Sequence, residues 1–255
     1  MKSYLKHEYP LRFAHRGSRV LWPENTMVAF QGAADLGYRY IETDVHVSRD
    51  GRVVIFHDHT LERLTDGTGK FHEHDWDDLR LLDAAFRFDP DAGFPLRGAG
   101  TQMPLLEEAV TTFPDQLFNV DLKQPGIAKQ VAAEVCRLGI EDRVLIGSFH
   151  DRRIRVFRRS APGVATSAGP IELARALVRH PRPEVGADAY QIPERGAGLR
   201  IATPNFIERA KAVAKQVHVW TVNEVADMRR LLALGVDGII TDRPDLLNEV
   251  VFGGE

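Results

Sequence analysis

Cysteine is nearly absent from this chain: Cys136 is the only one in 255 residues. An intrachain disulfide is therefore impossible, which excludes disulfide-stapled secreted scaffolds and is typical of a reducing compartment. Long apolar runs are missing too, both at the start, where a signal peptide would need one, and further along, where a membrane span would. We therefore expect a cytoplasmic protein without stable membrane insertion.

A strong excess of charge of one sign is also missing. The formal net charge is −3, from 33 basic and 36 acidic residues. This balance provides no general attraction for nucleic acid or for an anionic bilayer, so an anionic ligand must be met by a local site. The one basic cluster, residues 152–159, fits the solvated face of a helix. No nucleic-acid partner is expected.

Short apolar runs alternate along the chain with longer helical patterns, which is typical of βα units around a parallel sheet. Asp50-Gly51 predicts a hairpin between two of the strands. Strands are predicted at 12–15, 40–47, 53–57, 117–122, 144–149, 164–167, 187–192, 217–222 and 238–241. Helices are predicted at 24–36, 105–112, 127–138, 170–178, 204–215, 228–234 and 246–250, with a basic helix after residue 149.

Counting the hairpin as one barrel step gives eight βα steps, the number that closes a (β/α)8 TIM barrel. A length of 255 residues is usual for one such barrel, so we predict a single domain over 1–255. An open doubly wound sheet is the alternative, but no glycine-rich phosphate loop follows the first strand. The pattern breaks only at residues 59–102, which are polar and rich in glycine. A loop of that length is usually functional, and we predict an insertion after the second βα unit that caps the active site.

Carboxylates recur on two of the predicted strands. Glu42 and Asp44 lie two residues apart and therefore share one face of their strand. Their repulsion would be relieved by a divalent cation bound through oxygen, or by arginine and lysine partners. Asp121 and Lys123 alternate in the same way; Asp121 could complete a three-carboxylate cage, or the two could form a buried ion pair.

Two histidines, His15 and His57, each follow an apolar strand. The carboxyl ends of barrel strands are where active sites lie, and two imidazoles can exchange acid and base roles during a displacement. Either histidine alone could be a rim residue, but beside Glu42 and Asp44 the pair predicts catalysis. Arg16 suits bidentate phosphate contact. Trp220, at the end of a strand, could be a core residue or the wall of a ligand pocket.

Together these motifs resemble the glycerophosphodiester phosphodiesterase family. The resemblance is carried by H-R-G-S at His15, P-E-N-T at Pro23, E-T-D-V at Glu42, H-D at His57, T-L-E-R-L-T-D-G-T-G at Thr60, M-P-L-L-E-E at Met103, V-D-L-K at Val120, V-W-T-V-N at Val219 and G-V-D-G-I-I-T-D-R-P at Gly235. It implies a TIM barrel with a small insertion and a small-molecule glycerophosphodiester substrate, hydrolysed to sn-glycerol 3-phosphate and an alcohol.

The resemblance also implies roles for single residues. It makes His15 the general base and His57 the general acid, gives Arg16 and Lys123 phosphate contacts, and assigns Glu42, Asp44 and Asp121 to a divalent cation, Mg²⁺ or Ca²⁺. A glycerol hydroxyl beside the cation attacks phosphorus, and water then opens the cyclic phosphate. The family usually has glutamate where this chain has Asp121, so the shorter side chain could shift the cation, add a bridging water or favour Mg²⁺.

Two other functions are compatible with the sequence. One is lysophospholipase D-type cleavage of a lysophospholipid, which needs an apolar groove; Phe86, Phe88 and Phe94 with Trp220 are the candidates for it. The other is a non-catalytic barrel that binds phosphodiesters. The leaving alcohol and the oligomeric state are not determined by the sequence.

Overall fold

The computed structural model describes residues 2–7, 9–179, 186–196 and 198–253. Its strands are β1 (Leu11–His15), β2 (Tyr40–Val47), β3 (Val53–Ile55), β4 (Leu117–Leu122), β5 (Val144–Gly147), β6 (Ala165–Thr166), β7 (Ala189–Pro193), β8 (Arg195–Gly196), β9 (Leu199–Arg200), β10 (Gln216–Trp220) and β11 (Gly238–Thr241). Its α-helices are α1 (Met27–Asp35), α2 (Trp76–Leu79), α3 (Leu106–Thr112), α4 (Ala128–Leu138), α5 (Asp151–Ser160), α6 (Pro170–Val178), α7 (Pro204–Ala212), α8 (Val225–Ala233) and α9 (Pro244–Phe252).

Eight of the strands are parallel and follow the order β6-β5-β4-β2-β1-β11-β10-β7. A parallel bridge between Ser167 and Ala189 joins the two ends of this series. The amide of Asp188 also donates to the carbonyl of Thr166 over 2.8 Å. Helices lie between the strands, and the predicted (β/α)8 barrel is confirmed. The predicted hairpin is present as well, because β3 runs antiparallel to β2, with Val45 opposite Ile55. Val54 on β3 also forms an antiparallel bridge with Leu105.

Capping residues explain where several helices begin and end. The Thr26 hydroxyl accepts from the amide of Ala29 at the start of α1, and the Thr203 hydroxyl accepts from Phe206 at the start of α7. Gly139 ends α4 in the left-handed conformation with φ of +65°, which glycine adopts without strain. Helix α1 begins three residues later than predicted. Asn25 has φ of +59° and cannot be helical there, so residues 24 and 25 remain in the loop that follows β1.

The inner face of the barrel is apolar at its amino-terminal end. Tyr4 and Leu5, from a 3-10 turn at Ser3–Leu5 that was not predicted, close this end. The Tyr40 hydroxyl donates to the carbonyl of Tyr4 over 2.7 Å, and Gln216 donates to the carbonyl of Leu5 over 2.8 Å. The buried cluster contains Tyr4, Leu5, Leu11, Phe13, Tyr40, Leu117, Leu145, Ala165, Ala189 and Ile240.

Residues 59–102 contain a 3-10 turn at Phe71–Glu73 and the short helix α2. They have a buried cluster of their own, formed with the residues around β3: Val54, Phe56, Leu61, Phe71, Leu79, Ala84, Met103 and Leu105. This segment therefore packs against the β2–β3 side of the barrel. None of the helices in the described residues combines the length and apolar character that crossing a bilayer requires. The cytoplasmic location stays a prediction.

Candidate active site

The register of the sheet brings the predicted carboxylates and His15 together. β1 and β2 place His15 beside Glu42, while β2 and β4 place Asp44 beside Asp121. On each of these strands the same inward face that is apolar at the amino end carries the polar residue at the carboxyl end. His57 arrives separately, in the chain that follows β3.

These side chains line one cavity of about 430 Å³. Its lining includes all eight residues selected from the sequence: His15, Arg16, Glu42, Asp44, His57, Asp121, Lys123 and Trp220. Among the described residues that line it, none comes from the segment 59–102. That segment reaches the site from the side instead, through Arg63 and through His59 and Thr60, which line a neighbouring cavity. Its role as a cap stays a prediction.

His15 is held by Asp242, a buried residue that follows β11. Its Nδ1 lies 2.6 Å from Asp242 Oδ1, and Asn223 donates to the other carboxylate oxygen over 2.9 Å. Burial alone would lower the pKa of His15, but Glu42 and Asp242 outweigh it and raise the pKa. Burial would likewise raise the pKa of Asp242, but the contacts with His15 and Asn223 bring it down to about 2. The Nδ1 contact leaves Nε2 of His15 available to a ligand.

His57 is held in the same way by Asp58, with Nδ1 and Oδ1 2.5 Å apart. Arg63 binds this carboxylate through Nε, 2.5 Å from Oδ2, and it also donates to Glu24 over 2.8 Å. Glu24 in turn accepts from Arg16 over 2.7 Å. A continuous chain of charges therefore connects the second histidine to the arginine that follows the first.

The loop after β1 is bent tightly around Arg16. Gly17 has φ of +80°, and a Cβ there would lie 2.6 Å from the Cβ of Ala29, so only glycine fits. Arg16 itself has φ of +54°, a strained conformation for a residue with a side chain. Its guanidinium Nε lies 3.1 Å from Asp44 Oδ2, and its amide donates to the carbonyl of Glu42 over 2.8 Å.

Lys123 lies between two of the predicted metal ligands. Its Nζ is 2.9 Å from Asp44 Oδ1 and 2.6 Å from Asp121 Oδ2, so the ion pair considered from the sequence is formed. Burial would raise the pKa of Asp44, but Lys123 and Arg16 hold it below its ordinary value. The Glu42 carboxylate is held more weakly: Nε2 of His15 lies 3.7 Å from its Oε2, and the amide of Arg16 donates to it over 3.2 Å. Burial, and then the Asp44 carboxylate, raise its pKa well above the ordinary value.

The oxygen atoms of this group fit a hard cation. Among the described residues, Asn119 Oδ1 is buried without a hydrogen-bond partner. Asp44 Oδ1 and Asp121 Oδ2 are buried with the Lys123 ammonium 2.9 and 2.6 Å away, so a divalent cation bound there would replace Lys123 as their counter-charge. In the part of the chain that the structure describes, however, no three histidine, cysteine or acidic side chains converge as a ready metal site. The predicted cage of Glu42, Asp44 and Asp121 is thus brought to one cavity but not preformed, because Lys123 lies between two of its members.

Trp220 lies at the wall of the cavity, with the ring of Phe149 edge-on to it at 5.5 Å between centroids. Pro170 and Leu173 continue this apolar wall. The prediction that aromatic residues of the insertion form an apolar groove at the site is wrong. Phe86, Phe88 and Phe94 do not line the cavity, and both Phe86 and Phe94 lie against the guanidinium of Arg97, at 4.3 and 3.8 Å.

Other polar residues of the site were not selected from the sequence. They are Glu24 and Asn25 in the P-E-N-T motif, Asp58, Arg63 in the insertion, Asn223, and Asp242. Each lies within one of the motifs that carry the family resemblance, so the motifs contained the signal. Their roles depend on contacts between distant segments, such as the 2.9 Å hydrogen bond from Asn25 to Asp44. His46, which shares a strand face with Glu42 and Asp44, instead packs against Phe71 at 5.0 Å.

The family model described as glycerophosphoryl diester phosphodiesterase family matches residues 15–246. A curated relative from Mycobacterium tuberculosis, named probable glycerophosphodiester phosphodiesterase 2, is 38% identical over 98% of this chain and 93% of its own length. The chain therefore belongs to the glycerophosphoryl diester phosphodiesterase family, a family of enzymes.

Solved structures agree with the fold. The glycerophosphoryl diester phosphodiesterase domain of a Mycobacterium tuberculosis protein superposes with a TM-score of 0.84 at 23% identity, covering 97% of this chain and 100% of that one. A phosphodiesterase of Oleispira antarctica, solved in complex with the product sn-glycerol-3-phosphate, superposes with a TM-score of 0.78 at 22% identity, covering 95% and 96%. At these identities the likeness concerns the fold.

Proposed function

We propose that this chain hydrolyses glycerophosphodiesters to sn-glycerol 3-phosphate and an alcohol. The observation that carries the proposal is the pair of histidines, each with an aspartate on Nδ1, that line one cavity together with Arg16 and Lys123. An aspartate on Nδ1 fixes the imidazole so that Nε2 can exchange a proton with a ligand. A module that only binds phosphodiesters has no need of two such pairs.

The chemistry follows from these positions. Nε2 of His15 accepts the proton of a glycerol hydroxyl, whose oxygen attacks phosphorus while His57 donates a proton to the departing alcohol oxygen. The bond from phosphorus to that oxygen breaks, leaving a cyclic phosphodiester. Water then opens the ring with the two histidines in reversed roles. Arg16 and Lys123 would stabilise the charge on the phosphate oxygens.

Glu42, Asp44 and Asp121 would hold a divalent cation, Mg²⁺ or Ca²⁺. The buried oxygen atoms of Asp44 and Asp121 that face Lys123 support this, as does the buried Oδ1 of Asn119, which has no hydrogen-bond partner among the described residues. When bound, such an ion supplies positive charge beside the phosphodiester and favours the deprotonated hydroxyl. Lys123 would then turn from its two carboxylate partners toward the phosphate. The side chain of Asp121 is shorter than that of glutamate. The identity of the ion that restores activity therefore tests whether Asp121 favours Mg²⁺.

A second candidate is lysophospholipase D-type cleavage in the same site. The observation that favours it is the wall of Phe149, Trp220 and Leu173, with Phe149 57% exposed at the mouth. An acyl chain on the glycerol could lie against that wall. Comparing kcat/KM for lysophosphatidylcholine and glycerophosphocholine separates the two candidates. Only a site that binds the acyl chain should cleave lysophosphatidylcholine faster.

The first experiment measures release of glycerol 3-phosphate from glycerophosphocholine after EDTA treatment, with Mg²⁺, Ca²⁺ or Mn²⁺ added back singly. We expect EDTA to abolish activity and one ion to restore it. Untreated protein assayed in parallel is the control. Full activity in EDTA would contradict the proposed cation. No release under any condition would contradict hydrolysis of the choline ester, and no release from the serine and ethanolamine esters of glycerol 3-phosphate as well would contradict glycerophosphodiester hydrolysis.

A further inference from the structure

A second cavity of about 420 Å³ adjoins the first and shares His57, Asp121, Lys123 and Phe149 with it. The rest of its lining is mixed, with one arginine, one aspartate, two histidines, one threonine and one leucine: Asp58, His59, Thr60, Leu122, His150 and Arg153. The two cavities thus meet at His57 and Lys123, whereas His15 and Trp220 line only the first. The phosphodiester chemistry proposed above takes place where they meet.

Arg153 comes from the basic cluster that the sequence assigned to a solvated helix face. Within that cluster Arg153 instead turns toward the barrel, where Nη1 donates to the carbonyls of Leu122 and Lys123 over 2.8 and 3.0 Å. These two contacts hold the guanidinium beside the end of β4. In the described ranges no carboxylate oxygen lies within 4.0 Å of it. The other two cations near this cavity differ: Lys123 is paired with two aspartates, and Arg63 with Asp58 and Glu24.

The place of His57 determines what the second cavity would receive. If His57 gives its proton to the departing oxygen, the rest of the leaving alcohol must extend from His57 on the side away from His15. The second cavity begins there. The glycerol half would remain in the first cavity, beside Trp220 and the carboxylates.

We propose that the second cavity holds the leaving alcohol and that Arg153 selects alcohols bearing an anionic group. This inference rests on the proposed function. An anionic group would give Arg153 a direct charge partner, which no carboxylate of the described residues provides within 4.0 Å, with Thr60 and His150 as further polar neighbours. Asp58 and Asp121 also line this cavity, but each is already paired, with Arg63 and Lys123. A quaternary ammonium would lie near the charges of Arg153 and Lys123, and the Phe149 ring that could bind it already has Lys123 Nζ at 5.4 Å from its centroid.

A matched pair of substrates tests this. The serine and ethanolamine esters of glycerol 3-phosphate differ only by one carboxylate on the leaving alcohol. We expect kcat/KM for the serine ester to exceed that for the ethanolamine ester by about tenfold, the effect of one charge-assisted contact. Arg153→Gln should bring this ratio close to one. A purely structural role of Arg153 would lower kcat/KM for both esters by the same factor. The ratio of the two kcat/KM values within one variant would then be unchanged.

Two variants control for charge and for anchoring. Arg152→Gln removes the same charge from the neighbouring, exposed position and should retain the wild-type ratio. Arg153→Lys retains the charge and should keep most of the preference. A wild-type ratio of one or less, or an Arg153→Gln ratio equal to wild type, would overturn the inference while leaving hydrolysis established. Failure to hydrolyse either ester would overturn the proposed function and this inference together.

Discussion

The two ends of the barrel interior differ in kind, although the same strands supply both. At the amino-terminal end, Phe13, Tyr40 and Leu117 are buried against one another and against Tyr4. Two to four residues later along those strands the inward side chains are His15, Glu42, Asp44 and Asp121. We call these the packed layer and the charged layer.

The difference shows that, within one fold, separate sets of residues provide the stability and the groups for chemistry. Burial of large apolar groups in the packed layer contributes to the free energy of folding. In the charged layer, buried carboxylates cost free energy, and Glu42 with its raised pKa is the clearest case. The packed layer therefore stabilises the strands that hold the charged layer in place, and substitutions should separate the two effects.

The largest expected effect is in the charged layer. His57→Ala should lower kcat for glycerophosphocholine by about 10²- to 10⁴-fold, the usual contribution of a general acid. The free energy of unfolding should change by less than about 1 kcal/mol, because the contact with Asp58 is partly exposed. Steady-state kinetics and urea unfolding measure the two quantities. His72→Ala, at an exposed position of the insertion, should change neither. Wild-type turnover in His57→Ala would show that His57 is not the general acid.

The packed layer should respond in the opposite way. Phe13 is fully buried and its ring lies 4.8 Å from those of Tyr40 and His218. Phe13→Ala should lower the free energy of unfolding by about 3–5 kcal/mol through lost burial and the cavity left behind. The folded fraction should retain its kcat at low temperature. Leu81→Ala, at a side chain that is 71% exposed, is the control. A lowered kcat of the folded fraction, with the free energy of unfolding nearly unchanged, would contradict the division between the layers.

His218, whose ring lies 4.8 Å from that of Phe13 in the packed layer, should make stability depend on pH. Burial lowers the pKa of His218 from its ordinary 6.5 to about 3. Between these values the unfolded chain binds a proton that the folded chain does not, so stability falls as the pH falls. Relative to His218→Gln, the wild type should lose roughly 2 kcal/mol between pH 6.5 and about pH 5. Urea unfolding at both pH values measures this. Parallel pH dependence in the two proteins would show that His218 does not titrate as its burial implies.

Much of the fold could be predicted because its signals are local. Alternating apolar residues, the Asp50-Gly51 turn and the helix stops gave strands and helices close to those observed, and their number gave the barrel. Seven of the eight residues selected for the site line one cavity for the same reason, since residues at the carboxyl ends of parallel strands meet at one face. His57 is the exception, because it follows the antiparallel strand β3 and reaches the cavity from outside the barrel series. Their catalytic roles stay predictions.

Other features depend on contacts that no local pattern records. Helix α1 was predicted too early because Pro23 is typical of a helix start, yet Asn25 remains in the loop and bonds Asp44 across 19 positions of sequence. Arg153 was assigned to solvent because its neighbours are arginines, yet it donates to β4. The apolar wall at Trp220 comes from Phe149 rather than from the insertion.

The sequence by itself determined the barrel, the family and the residue types of the site, because these follow from periodicity and from motifs that lie within short stretches. Only the tertiary structure decided which groups pair. It placed Asp242 on His15, Asp58 on His57 with Arg63 behind it, and Lys123 between Asp44 and Asp121. It also placed Arg153 beside the second cavity with no carboxylate of the described residues within 4.0 Å. The physical reason is that a charge is matched by whichever group the sheet register and the loops bring within a few ångströms, and sequence distance does not record that separation.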